Sequence, residues 1–128
     1  MGTDDYFVDR EDTPLDENGE RNYEGLDAID IGLFNRNMND LLDGKEVDLP
    51  TFNFLTGEKE YGERITSIKS NQLIVIEGIH GLNEKMTEEI DDAEKFKIYI
   101  SPLTQLNIDE HNRVPTTDER MLRRMVRD

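Results

Sequence analysis

The fold of this chain is constrained most by residues 72–79, which read Gln-Leu-Ile-Val-Ile-Glu-Gly-Ile. Four consecutive aliphatic side chains, three of them β-branched, are typical of a strand buried on both faces in a parallel sheet. A short helix is expected at about 82–91, and residues 95–101 read as a second strand that ends before Pro102. Two strands joined by a helix form a βαβ unit, so the sequence predicts an α/β fold.

The first half of the chain reads as a loop, a helix and a hairpin. Residues 8–22 contain several turn formers and no apolar period, which predicts a loop. Apolar side chains recur at helical spacing over 26–43, and Gly44 follows as a C-cap. Residues 47–56 and 61–68 read as the two strands of a β-hairpin.

The end of the chain reads as two helices. Residues 103–112 predict a short helix, and Thr116 or Thr117 is expected to cap a helix that runs to the last residue. Thr116 with Glu119 three positions later has the spacing of a capping box.

The last helix is rich in arginine. Its spacing places Arg120, Arg123 or Arg124, and Arg127 on one side. Arginine forks suit phosphate oxygens, although a solvated basic face paired with an acidic surface is the simpler interpretation.

Composition excludes several classes of function. The 128 residues carry 30 acids and 15 bases, a net charge of −15 that repels nucleic-acid backbones. No apolar run is long enough for a transmembrane helix, and the N-terminal residues do not resemble a signal peptide, so we expect a cytoplasmic protein without a membrane partner. With no cysteine and two histidines, thiolate and His-rich metal sites are excluded. We expect structural roles for His80 and His111.

Charge is distributed unevenly along the chain. Residues 1–30 hold eleven acids and two bases, whereas residues 113–128 hold five arginines and three acids. The two ends could form two halves of a site for a charged ligand. On charge alone, a solvated acidic loop and an exposed basic helix are favoured.

Two short motifs carry side chains that suit phosphoryl-transfer chemistry. Asp4-Asp5-Tyr6-Phe7 could supply a general base beside a stacking platform, or could be a turn or N-cap. The predicted strand at 72–79 delivers Glu77 to its carboxyl end, where α/β folds place ligands. Glu77 could hold Mg²⁺ there, or could be an ordinary polar strand terminus.

Five landmarks occur along the chain in a fixed order. They are Asp4-Asp5-Tyr6-Phe7, then Tyr23-Glu24 with Asp27-Ala28-Ile29-Asp30, then Leu49-Pro50-Thr51-Phe52-Asn53-Phe54, then Val75-Ile76-Glu77-Gly78-Ile79, and finally residues 117–128. In this order and spacing the chain resembles the uridine kinase and phosphoribulokinase family of P-loop kinases. The resemblance implies an α/β fold that is part of a P-loop kinase-like three-layer αβα core, with parallel strands and a small β-hairpin that binds substrate.

The resemblance also implies an activity and a set of site residues. The activity is ATP-dependent, Mg²⁺-assisted phosphorylation of a sugar hydroxyl, typically the 5′-hydroxyl of a pyrimidine nucleoside. Asp4 matches the acid that acts as base on that hydroxyl, with Asp5 as the alternative, and Glu77 matches the carboxylate near Mg²⁺. The substrate-binding matches are Tyr6, Phe7, Tyr23, Phe52 and Phe54 around the nucleoside, Glu24 at the ribose hydroxyls, Arg120 and Arg123 at the substrate, and Arg123 and Arg127 at phosphates.

The chain departs from the family pattern in ways that limit these expectations. It contains no G-x-x-x-x-G-K-[ST] phosphate loop, and the family's lid would follow Asp128. We therefore expect residues 1–128 to form one incomplete kinase core, inactive by itself, with an acceptor-substrate region at 1–68 and a βαβ unit with the Arg-rich helix at 69–128. Gly57 stands near where uridine kinases carry a base-recognising histidine, which leaves uridine specificity open.

Other functions remain open from the sequence. A non-catalytic domain could bind a nucleoside or a partner without turnover. A sugar kinase of the phosphoribulokinase type would need basic residues at the acceptor pocket, and the pocket candidates here are acidic and aromatic. An exposed edge of the strand around Leu73–Ile76 predicts either marginal stability or a homo-oligomer that covers the edge.

Overall fold

The computed structural model describes residues 1–100 and 116–127, and the chain divides into two compact units between Lys97 and Ile98. The second unit holds helix α2 (Thr116–Arg127). In the described part of the chain, no helix is both long and apolar enough to cross a membrane. The first unit holds helix α1 (Ile31–Leu42), strands β1 (Val47–Asn53) and β2 (Glu58–Thr66), and 3₁₀ turns at Thr3–Tyr6, Leu26–Ala28, Glu84–Thr87 and Asp92–Glu94.

Helix α1 has an N-cap residue followed by apolar side chains at helical spacing. The Leu33 N–H donates to Asp30 Oδ1 over 2.9 Å, which makes Asp30 the N-cap. Phe34, Met38 and Leu41 are spaced along one face and are buried in the core. The predicted helix at 26–43 is thus confirmed from residue 31. Residues 26–28 form a separate turn, because Ile29 is extended and bridges to Phe7.

Asp30 also forms a part-buried ion pair, since its Oδ2 lies 3.5 Å from Lys59 Nζ. We expect Asp30→Ala to lower the free energy of unfolding by about 2 kcal/mol, because it removes both the cap and the pair. Asp30→Asn keeps a good cap and should lose less than half of that. Urea denaturation measures both values. Equal losses in the two variants would mean that the cap contributes little.

Strands β1 and β2 form the predicted hairpin, so that expectation is confirmed. They pair antiparallel, with the register irregular between Leu49 and Thr51, where Pro50 has no N–H to donate. The connection lies at 54–57 rather than at the predicted 57–60, because β1 ends at Asn53 and β2 begins at Glu58. The side chain of Asn53 accepts from the N–H of Leu55 and closes the turn.

Among the described residues, the predicted parallel strand at 72–79 makes one bridge, between Glu77 and Gly2. The Thr3 N–H donates to the Glu77 carbonyl and the Glu77 N–H donates to the Met1 carbonyl, each over 2.9 Å. Ile74 and Ile76 pack against the core, but Leu73 and Val75 are 92% and 73% exposed. The expectation of burial on both faces is therefore wrong for this structure, because only one face is covered.

The remaining α/β elements also differ from the expectation. The helix expected at 82–91 is reduced to the turn Glu84–Thr87, and side-chain amides of α1 donate to the Met86 and Glu89 carbonyls. Residues 95–100 form neither strand nor helix, since they pair with no other described segment. Within residues 1–100 and 116–127 the one multi-residue sheet is the antiparallel hairpin. The chain is α/β in content, and the three-layer parallel arrangement is not found there.

The last predicted helix is confirmed as α2, which spans Thr116–Arg127. The predicted helix at 103–112 and residue 101 lie outside the described residues. The side chains of the expected capping box, Thr116 and Glu119, lie outside them as well.

Candidate functional site

Four predicted substrate-binding aromatic residues meet in one place, here called the aromatic cluster: Phe7, Tyr23, Phe52 and Phe54. Phe7 is at its centre, with ring centroids 5.6 Å from Tyr23, 5.5 Å from Phe52 and 6.3 Å from Phe54. All contacts are edge-to-face, the geometry that aromatic quadrupoles favour. Phe7 and Phe52 are buried, whereas Phe54 is 62% exposed. The cluster therefore has a buried part, which includes Phe7 and Phe52, and one ring, that of Phe54, which faces solvent.

The fifth predicted aromatic residue, Tyr6, lies in the core and not in the cluster. Its side chain is 1% exposed, and its ring packs edge-to-face on Phe34 at 5.1 Å. Asn37 Nδ2 donates to its hydroxyl over 3.4 Å. Burial raises the pKa of the Tyr6 phenol above its usual value, so the group stays protonated near neutral pH. The role of Tyr6 in substrate binding stays a prediction, which this placement does not favour.

The two candidate catalytic acids lie on the turn Thr3–Tyr6, directly before Phe7, in different surroundings. Asp4 is exposed. Asp5 is about three-quarters buried and forms an ion pair with Arg64 of β2. The ion pair joins the turn to the hairpin. The Asp5 carboxylate therefore has a partner, whereas that of Asp4 faces solvent.

The Asp5–Arg64 pair can be tested by a double-mutant cycle. We expect Asp5→Asn and Arg64→Met each to lower the free energy of unfolding, with a coupling energy of roughly 1 kcal/mol for this partly exposed pair. Denaturation in urea supplies the four stabilities, and 0.5 M salt should reduce the coupling. Additive losses would show that the pair contributes no net stability.

Glu77 is an exposed carboxylate next to the parallel bridge. A Cβ at Gly2 would lie 3.0 Å from Glu77 Oε1, so the glycine leaves room for this side chain. Among the residues that the structure describes, no three acidic or histidine side chains converge as a metal site. Mg²⁺ is often held by one or two carboxylates together with water and substrate phosphates, and an exposed Glu77 fits that mode.

Two side chains, those of Asn22 and His80, make hydrogen bonds with the backbone of the loop that carries Tyr23 and Glu24. Asn22 Oδ1 accepts from the N–H groups of Glu24 and Gly25, over 3.0 and 3.2 Å. His80 Nε2 lies 2.9 Å from the Glu24 carbonyl oxygen. Sequence reasoning assigned His80 a structural role without a partner, and no local pattern could have revealed a contact that spans 56 positions.

A shallow pocket of about 270 Å³ lies at the hairpin tip. Arg10 Nη2 donates to the Phe54 carbonyl over 2.7 Å, and a Cβ at Gly57 would lie 2.7 Å from the Arg10 Cβ. Arg10 therefore occupies the space that a side chain at position 57 would need. The pocket is lined by Asp9, Arg10, Glu11, Asp12, Arg21, Thr56, Gly57 and Glu58.

The three predicted substrate- and phosphate-binding arginines, Arg120, Arg123 and Arg127, lie on α2 in the second compact unit. Their side chains lie outside the described part of the structure. Their roles stay predictions.

Comparison with known proteins identifies the family. The sequence model of the Phosphoribulokinase / Uridine kinase family matches residues 6–113. This chain belongs to that family. Relatives named uridine kinase occur in Staphylococcus aureus strains JH9 and Newman. Each is 29% identical over 128 residues, which is 100% of this chain and 53% of the relative. The chain thus spans about half the length of the curated relatives it matches.

The match to the phosphoribulokinase/uridine kinase family includes the aromatic cluster, Glu24 and Glu77. Asp4 and Asp5 precede the matched residues, and the arginines of α2 follow them. The match covers these positions without testing their roles, so the roles of the cluster, of Glu24 and Glu77 and of the acids of the first turn stay predictions.

Proposed function

We propose that this chain forms the acceptor-binding part of a nucleoside kinase, which phosphorylates the 5′-hydroxyl of a uridine- or cytidine-type nucleoside. The observation that carries the proposal is the aromatic cluster, whose central ring directly follows the turn that bears the exposed Asp4. An aromatic ring that faces solvent and packs on buried rings suits stacking of a nucleobase. A carboxylate a few residues away suits a hydroxyl acceptor.

The charge around the cluster favours a neutral acceptor. Asp4, Glu24 and Asp27 are exposed, and the pocket at the hairpin tip has more acidic than basic side chains. A sugar phosphate would be repelled by this surface, whereas ribose hydroxyls can donate to carboxylates. The proposal therefore prefers a nucleoside over a phosphorylated sugar such as ribulose 5-phosphate.

Asp4 is the residue of this chain that we assign to the chemistry. Its carboxylate would accept a hydrogen bond from the 5′-hydroxyl and could take up the proton of that group, while the neighbouring Asp5 is paired with Arg64. Glu24 would orient the ribose, and Glu77 would hold Mg²⁺ directly or through water. Bound ATP would supply the transferred phosphoryl group.

The residues present do not make a site for ATP phosphates. Such a site needs backbone amides and a lysine of the G-x-x-x-x-G-K-[ST] type, and the 128 residues contain no such pattern. We therefore derive no step through ATP, and the proposal includes that the isolated chain binds its acceptor without turnover.

Calorimetric titration with uridine, cytidine, ribulose 5-phosphate and Mg-ATP, each alone, tests this proposal. We expect heat with a nucleoside and none with Mg-ATP. Binding of ribulose 5-phosphate in place of the nucleosides would favour a sugar kinase. No heat with any acceptor from a folded chain would contradict the proposed acceptor site.

A further inference from the structure

His80 connects two segments that carry candidate ligand-binding groups. It stands three residues after Glu77, in a turn closed by the Gly81 N–H to the Gly78 carbonyl and the Asn83 N–H to the His80 carbonyl. From this turn its Nε2 reaches the Glu24 carbonyl, 2.9 Å away. The Tyr23–Glu24 loop and the Glu77 segment are thereby joined by a direct hydrogen bond.

Two further contacts of this loop differ in kind from the His80 bond. The Asn22 side chain organises the loop internally by accepting from Glu24 and Gly25. The Tyr23 ring packs edge-to-face on Phe7, an apolar contact without a hydrogen bond. A hydrogen bond to the backbone next to Glu24 is directional and fixes where the Glu24 Cα stands.

A carbonyl oxygen can only accept a hydrogen bond, so His80 must carry a proton on Nε2. Both the neutral Nε2–H tautomer and the imidazolium meet this requirement. The contact therefore needs a hydrogen-bond donor at the position of Nε2 and does not need a positive charge on the side chain.

We propose that His80 is a positioning residue, which holds the Glu24 backbone so that the Glu24 carboxylate meets the vicinal hydroxyls of a ribose. This inference rests on the proposed function. Without the bond the loop must be ordered when the ligand binds, and that ordering reduces the affinity. One neutral hydrogen bond contributes a net free energy of about 1 kcal/mol, so its removal should reduce the affinity for the nucleoside about fivefold.

Two substitutions separate the donor from the bulk of the side chain. His80→Gln can place an amide N–H near the Nε2 position, whereas His80→Leu fills similar space without a donor. Calorimetry on the full chain would give dissociation constants for uridine and for 2′,3′-dideoxyuridine, which lacks both hydroxyls. Thermal unfolding confirms that both variants are folded.

We expect His80→Leu to weaken uridine binding about fivefold, His80→Gln to stay within about twofold of the wild type, and dideoxyuridine binding to be the same in all three proteins. Equal affinities of wild type and His80→Leu for uridine would overturn the inference. So would equal losses for both ligands, which would indicate a general structural role. Wild type that binds neither nucleoside would instead overturn the proposed function, and the inference with it.

Discussion

Replacing Gly78 by alanine should lower the free energy of unfolding by about 3 kcal/mol, the upper end of what overpacking costs. A Cβ at this position would overlap Thr3 Oγ1 and would lie 2.9 Å from the Thr3 Cβ and Cγ2. Thr3 is fully buried and cannot move aside. The new methyl group would therefore push apart the two segments that meet at the Gly2–Glu77 bridge. Urea denaturation followed by circular dichroism measures the loss.

Gly44→Ala is the matched control for this substitution. Gly44 also has a positive φ, +76°, but nothing lies within 4 Å of a Cβ placed there. It should cost only the backbone strain, about 1 kcal/mol. Thr3→Ala in the Gly78→Ala background removes Oγ1 and Cγ2 and should recover part of the loss. Similar losses at Gly78 and Gly44 would show that Thr3 does not set the effect.

Phe7→Ala should be the most damaging change within the aromatic cluster. Its ring is 8% exposed and contacts Tyr23, Phe52 and Phe54, so truncation leaves a cavity among three rings. We expect a loss of about 4 kcal/mol in the free energy of unfolding, together with the loss of nucleoside binding. Denaturation and calorimetry on the same preparation measure the two effects.

Phe54→Ala separates binding from stability. Because Phe54 is 62% exposed, its removal should change the free energy of unfolding by less than about 1 kcal/mol. Loss of a ring on which a base stacks should weaken uridine binding about tenfold or more. A variant that is destabilised as much as Phe7→Ala, or that binds uridine like the wild type, would contradict the assigned role of this ring.

The elements that the sequence predicted well have local causes. Helix α1 follows from the apolar spacing of Phe34, Met38 and Leu41 after a capping Asp30. The hairpin follows from two apolar stretches around a turn, and Gly57 has the positive φ that such a turn needs. Four of the five aromatic residues that the family resemblance assigned to the nucleoside lie together in the cluster and Tyr6 does not, while their role in binding stays a prediction. Their mutual contacts were not visible in the sequence.

The elements that were predicted wrongly depend on distant partners. The apolar run Leu73–Ile76 has the composition of a central strand, but a strand needs neighbours on both sides, and the described residues supply one bridge to Gly2. Residues 95–100 pair with no strand among the described residues. Composition alone could not show how many neighbouring strands there are.

The asparagines of α1 matched no motif in the sequence, and their roles became visible only from packing. Asn35 donates to the Met86 carbonyl, Asn37 to the Tyr6 hydroxyl and Asn39 to the Glu89 carbonyl. Each amide donates to a group outside α1, and the contacts of Asn35 and Asn37 are buried whereas that of Asn39 is exposed. A single sequence does not indicate which distant group such an amide will meet.

The parallel bridge has a kinetic consequence. Met1 N and Val75 O are 2.9 Å apart but 74 positions apart in sequence, whereas the hairpin strands are joined by a few residues. Closing the longer loop carries a greater entropic penalty, so we expect the hairpin and α1 to form early and the bridge to form late. The same bridge should open first, and amide hydrogen exchange at Thr3 and Glu77 should be faster than at β1. The segments that carry the candidate residues Asp4 and Glu77 would then meet only in the last folding step, so partly folded forms would keep these two segments apart.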